Sequence, residues 1–275
     1  MAHSHNTRAA FTLIELSIVI VIIGLLVGGI LGGQALIRNS GLKAVVSEFQ
    51  KYKGTVVQFK DQYNGLPGDM ANATGYWGRM NGNADCATNS GAAISSSNGA
   101  CDGNSNSRIE LAGAAGGVGE LYQFWRQLSL AGFIEGNYTG TSGAGSTFET
   151  LVGINAPASK LTPSGWSVYY VGTFGGSNFA YAGTYGHYLG YGRPISGSIT
   201  VDKALTPTEA WNIDSKIDDG MSGTGFVLSR SAVVWSGTGA CTTSTSATDY
   251  AGNYNLGYND IACGLFFRNQ FNEVR

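Results

Sequence analysis

Charge is scarce in this chain: Asp, Glu, Lys and Arg make up 12% of 275 residues, against a usual ~25%, and they balance to a formal −2. Loss of a leader whose single charged side chain is Arg8 would take this to about −3. No basic field exists to hold nucleic acid, so that class of partner is not indicated. Histidine is scarcer still, because His3 and His5 lie in the first ten residues and leave only His187. A Ser-His-Asp site or a His/Cys zinc site would have to use it. It sits in a Tyr/Gly-rich stretch without a nucleophile-elbow sequence, so no enzyme is expected. No C-x-x-C pair occurs, and none of the five prolines precedes Pro67. Glycine, by contrast, occurs 42 times, about twice the ordinary ~7% share, which points to a loop-rich, weakly charged surface.

The N-terminal segment carries the strongest signal. Residues 1–10 are polar and end in Ala9-Ala10; Phe11-Thr12-Leu13-Ile14-Glu15 follows, and no further charge occurs until Arg38. The 22 residues between Glu15 and Arg38 would span ~33 Å as a helix, enough for a bilayer core of ~30 Å. An ordinary secretory signal places its cut after the apolar run and so removes it. Here the small residues precede the run, and a cut between Ala10 and Phe11 would leave the whole apolar helix on the mature chain. A carboxylate inside the apolar part of a spanning helix costs ~2.5–3.5 kcal/mol and marks a function unless it sits at headgroup level. The α-amino group of Phe11, on the same or a neighbouring chain, is the nearest cation that could compensate Glu15.

Gly24, Gly28 and Gly32 recur every fourth residue, with Gly29 and Gly33 beside them. Such a small-xxx-small face lets helices approach closely in an apolar medium. Glycine also weakens a helix by ~1 kcal/mol relative to alanine, so the same face could permit local melting. From Arg38 to Tyr63 the pattern becomes amphipathic, with Leu42, Val45, Val46, Phe49, Tyr52, Val56 and Phe59 at helical spacing. The breaker cluster Asn64-Gly65-Leu66-Pro67-Gly68 should end the helix. The resulting organisation is a leader (1–10), a hydrophobic helix (11–37), its amphipathic continuation (38–64) and a head (65–275).

Ala10-Phe11-Thr12-Leu13-Ile14-Glu15 followed by an apolar run resembles the leader of type IV prepilins and of the pseudopilins of type II secretion. The resemblance implies that a prepilin peptidase cuts after Ala10 and methylates the new amine of Phe11. It also implies that Glu15 guides assembly by pairing with that amine. Two departures are Ala10, where the family most often has glycine, and an apolar helix without proline. The implied fold is α+β: a lollipop with a long N-terminal helix, transmembrane before assembly, packed on an antiparallel sheet with additional short helices. The implied life history runs from an inner-membrane single-pass protein with a periplasmic head to a pilus or pseudopilus, with cell-surface exposure in the first case. The implied partners are copies of itself, other pilins, the prepilin peptidase and the inner-membrane assembly platform. An adhesin-like protein that never polymerises is the competing reading. Tyr63 to Asp69 and Phe124 to Gly132 are similar to stretches of a group of large pilin-like proteins.

In the head, Cys86, Cys101, Cys241 and Cys263 form an even set downstream of an export signal, which favours disulfides. Three pairings are open, the sequence-local Cys86–Cys101 and Cys241–Cys263 being preferred over the others and over buried thiols. No cofactor is certain. A calcium ion is the one candidate, because Asp102, Asn104, Asn106 and Glu110 place oxygens at alternate positions of a loop. The pattern lacks an EF-hand's glycine and its glutamate at the twelfth position, and an Asx-rich turn explains it as well. Adjacent Asp218-Asp219 could ligate a cation, meet a neighbouring subunit or simply end a helix. Helices are expected at Glu120–Ile134 and, from a capping box, after Thr206. Strands are expected at Trp166–Thr173 and Phe226–Trp235. Tyrosines and asparagines between 169 and 191 suggest either an exposed binding face or aromatic core strands.

Overall fold

The computed structural model describes residues 12–80, 99–111, 115–177, 180–230, 240–244, 246–268 and 271. The fold is α+β, an N-terminal helix with a four-stranded antiparallel sheet and three shorter helices. Helix α1 (Leu13–Tyr63) ends where expected, with Asn64 in the left-handed region at φ 51° and its N–H closing on the Lys60 carbonyl at 2.8 Å. By contacts the chain divides between Lys43 and Ala44, within α1. The apolar residues from Leu13 to Ile37 are exposed throughout. By length and composition α1 could cross a membrane.

The head unit is built on one face of the second half of α1. Val45, Phe49, Tyr52, Val56 and Phe59 are buried, at the i, i+4, i+7, i+11 and i+14 spacing of a single helical stripe. They meet a sheet ordered β1-β2-β4-β3, formed by β1 (Gly165–Phe174), β2 (Gly183–Gly192), β3 (Val227–Leu228) and β4 (Leu265–Arg268). Trp166, Tyr191 and Phe267 project from adjacent strands to the α1 side. Phe49 stacks on Phe267 at 4.4 Å between ring centroids, and Tyr52 meets Trp125 and Trp166 edge-on at 5.1 and 5.6 Å. Each such ring pair contributes ~0.5–1.5 kcal/mol beyond its buried area. Glu48 of α1 adds a polar clamp, accepting the Trp166 indole N–H at 2.8 Å and the Lys160 backbone N–H at 2.9 Å.

The glycine content has a packing reason in β2, which pairs Trp166 with Tyr191 and Val168 with Leu189. Residues 198–202 cross the other side of this strand at backbone contact. A Cβ on Gly192 would lie 2.5 Å from the Asp202 carbonyl, and one on Gly190 2.8 Å from the Ser167 hydroxyl. The alternation of large rings and glycines is thus a strand with a crowded back. The exposed-face expectation for 169–191 is not met at Tyr181, Tyr185, Tyr188 and Tyr191, which are buried, while Tyr169 and Tyr170 are half-buried.

Helix α3 (Glu120–Leu130) is shorter than expected because the chain turns at Gly132, φ 76°. It is buried around most of its circumference, not along one stripe. Its polar side chains hold loops: Gln127 accepts from the Gly68 N–H at 2.6 Å and donates to the Cys101 carbonyl, and Gln123 donates to the Gly140 carbonyl. Arg126 donates to the carbonyls of Gly99 and Tyr138. Helix α2 (Ala73–Trp77) is a single short segment, and α4 (Pro207–Ile217) starts with the expected capping box between Thr206 and Glu209. The second expected strand is realised as β3; residues 231–239 lie outside the described residues.

Cys241 and Cys263 form a disulfide, with 5.1 Å between Cα atoms and 22 residues between them. Cys101 is also disulfide-bonded, and Cys86, its expected partner, lies outside the described residues. The Cys241–Cys263 bond anchors the lead-in to β4, where Cys263 exchanges backbone hydrogen bonds with Leu205. A double Cys241→Ala, Cys263→Ala variant is expected to lose roughly 3 kcal/mol of head stability on the chain-entropy estimate. Urea melts of the variant and the oxidised parent measure this.

Candidate functional site

The first turn of α1 is a capping box. Thr12 is the residue before the helix, and its hydroxyl oxygen accepts the Glu15 backbone N–H at 3.3 Å. The Glu15 carboxylate reaches back to accept the Thr12 backbone N–H and the Thr12 hydroxyl, both at 2.8 Å. Two amide donors that a helix start leaves unpaired are therefore satisfied reciprocally, and a carboxylate sits at the positive end of the helix dipole. The Thr-x-x-Glu spacing in the sequence carries this signal, but the apolar run after it draws attention to Glu15 as a lone charge instead. Ala10 and Phe11, the expected cleavage and methylation positions, lie outside the described residues. Their adjacency in sequence puts the expected cut two residues before the helix's first turn.

Gly24, Gly28 and Gly32 follow on the exposed half of the helix. A Cβ added at any of the three would meet nothing within 4 Å apart from the local helix backbone. The face is therefore open in the single chain. Backbone surfaces of this kind can be approached by a second helix more closely than any face bearing side chains.

The loop 102–110 has a different organisation from a cation cradle. Asp102 spends both carboxylate oxygens on Thr74, accepting its N–H at 2.7 Å and its hydroxyl at 2.8 Å. Asn104 accepts from the Asn106 N–H and donates its amide to Glu110 at 2.8 Å, while Asn106 accepts from the Arg108 N–H. The loop's backbone donors point instead at two buried carboxylates from outside it. Asp69 accepts from the N–H groups of Asn106 and Ser107, and Glu120 from those of Asn104 and Glu110. Ser105 and Ser107 adopt positive φ, 56° and 62°, to present these donors. Burial, partly offset by these hydrogen bonds, pushes the Glu120 carboxyl up to about 7 and raises that of Asp69.

After α4, Asp214, Asp218 and Asp219 bring carboxylate oxygens within 4.8 Å of one another. Each is engaged by the turn after α4. Asp214 accepts the Tyr254 hydroxyl at 2.9 Å and the Gly220 N–H at 3.2 Å. Asp218 accepts the N–H groups of Phe226 and Val227, and Asp219 accepts the Met221 backbone N–H and the Thr224 hydroxyl. Burial pushes the Asp214 carboxyl up to about 7. His187 is buried between the rings of Tyr170 and Phe271, at 4.9 and 5.8 Å.

Helix α1 thus opens on a capping box and carries an exposed apolar first half. Residues 5–31 match the family model described as the prokaryotic N-terminal methylation motif, the signature of type IV pilin and pseudopilin precursors. The motif supports processing by prepilin peptidase and, with the apolar helix, membrane anchoring before assembly. Proteins of the pilin type that this motif marks are structural. No curated protein and no solved structure matches the chain.

Proposed function

We propose that this chain is a structural subunit of a type IV pilus-like filament. It is cut between Ala10 and Phe11, methylated on Phe11 and assembled through the apolar half of α1. The reading is carried by one observation: Glu15 stands as the sole charge at the head of an apolar helix, every large hydrophobic side chain of which is exposed from Leu13 to Ile37. In the inner membrane those side chains face lipid, with the head in the periplasm. In a filament they face copies of the same helix or other pilins, and the Gly24/Gly28/Gly32 face sets the closest approach. Handover between these two environments requires the prepilin peptidase and an inner-membrane assembly platform.

Glu15 then acts as a register device. Its carboxylate caps its own helix through Thr12, and the methylated amine of Phe11 on a neighbouring chain supplies the opposite charge. A misregistered chain leaves that charge unpaired in an apolar core, which is strongly penalised. Mass spectrometry of the mature N-terminus is expected to show N-methyl-Phe11, whereas an intact Met1 would exclude this pathway. Immunogold labelling along shed filaments is expected; labelling confined to the cell envelope would support the non-polymerising reading.

A further inference from the structure

The outer face of the sheet, opposite α1, holds a cavity of about 370 Å³. Tyr169, Tyr188 and Phe266 form its floor from three adjacent strands, paired in register as Tyr169 with Tyr188 and Phe266 with Gly190. Residues 197–201, including Ile199 and Val201, line it together with Phe148. The rings stand at steep angles: Tyr188 meets Phe266 at 63° and Tyr169 at 81°. They form a walled slot. The crossing segment that leaves no room for a side chain at Gly192 contributes Ile199 and Val201 to the slot.

Three features define what fits there. Among the described residues no charged side chain lines the slot, so a charged ligand would lose its hydration without a counter-charge. The size falls at the lower end of ordinary small-molecule pockets, ~300–1,000 Å³, and the aromatic walls favour a flat body in stacked and edge-on contact. Tyr188 lines the slot with 6% of its surface exposed, and its hydroxyl has no hydrogen-bond partner among the described residues. The neighbouring Tyr185 hydroxyl, in contrast, donates to the Tyr181 carbonyl at 2.9 Å. A pyranose would need partners for several hydroxyls, and the side chains lining the slot offer only tyrosine phenols and Ser198. We propose that this slot binds a small, uncharged, flat aromatic molecule bearing one hydroxyl group, stacked among Tyr169, Tyr188 and Phe266 and hydrogen-bonded to the Tyr188 phenol.

The test uses the full chain in lipid nanodiscs with 2-naphthol as probe, measured by equilibrium dialysis. Lipid takes up naphthol without saturation, so only a saturable component reports the protein. One saturable site per chain is expected in the parent. Val201→Trp, which fills the slot, is expected to remove it. Tyr188→Phe keeps the shape and removes the hydroxyl, and is expected to weaken binding about tenfold. A near-ultraviolet circular dichroism spectrum matching the parent's confirms folding in each variant; if Val201→Trp fails that control, Tyr188→Phe alone is read. Absence of a saturable site in the parent, equal affinity in Tyr188→Phe, or saturable methyl β-glucoside binding in place of naphthol would each overturn the proposal.

Discussion

Glu15→Ala is expected to leave the cut before Phe11 in place while reducing the chain's share of sheared filaments about tenfold or more. The physical basis is a charge-assisted contact of ~1.5–3 kcal/mol that exists only when chains are in register. The Ala variant removes two things at once, because the carboxylate also caps α1 through the Thr12 N–H and hydroxyl. Glu15→Gln separates them: its amide oxygen can still accept the Thr12 N–H, but it carries no charge. The register reading expects Gln to fail as Ala does. If Gln assembles like the parent, the role of Glu15 is to start the helix and the pairing with Phe11 is wrong. Immunoblots of sheared and cell-bound fractions, with the mature mass checked in both variants, give the answer.

The parts of the fold that were legible in the sequence are those fixed by local chemistry. Asn64 to Gly68 ends α1, and Thr206 to Glu209 starts α4, because a cap or a breaker acts within a few residues of itself. Strand β2 was harder to read, since Gly190 and Gly192 look like loop until Thr200 and Asp202 are seen lying against them. The polar side of α3 was illegible for a related reason. Gln123, Arg126 and Gln127 look like a solvated face, yet their partners are loop carbonyls and amides at positions such as Gly68, Gly99 and Gly140. Loop 102–110 shows the same limit: alternating oxygens are visible in sequence, but Asp69 and Glu120, which organise its N–H groups, lie outside the loop. At the site itself Glu15 stood out as a charge, while its bond to Thr12 required noticing a three-residue spacing.

The two buried carboxyls raised to about 7 make opposite predictions on amidation. Ordinary values are 4.5 for Glu120 and 3.8 for Asp214. Below those values both groups are protonated whether the chain is folded or not, and no stability is lost through them. Between there and about 7 the unfolded chain releases protons that the folded head retains, so stability falls as pH rises, and it levels off above 7. The loss is at most about 3–4 kcal/mol for each group, and solvent screening brings it lower. Thermal melts of the head should therefore show a higher midpoint at pH 5 than at pH 8. Asp214→Asn can keep both contacts, its amide oxygen accepting the Gly220 N–H and its NH2 donating to the Tyr254 oxygen. It is expected to stabilise the head at pH 8 and flatten the curve. A destabilised Asn variant, with a parent midpoint that falls on chelation, would instead place a cation among Asp214, Asp218 and Asp219. Glu120→Gln cannot follow the same course, because both its oxygens accept backbone N–H groups and one would be replaced by a donor. It is expected to cost ~1–3 kcal/mol at every pH while also flattening the curve. The distinction rests on what faces each carboxyl: two fixed donors at Glu120, and one fixed donor with one rotatable hydroxyl at Asp214.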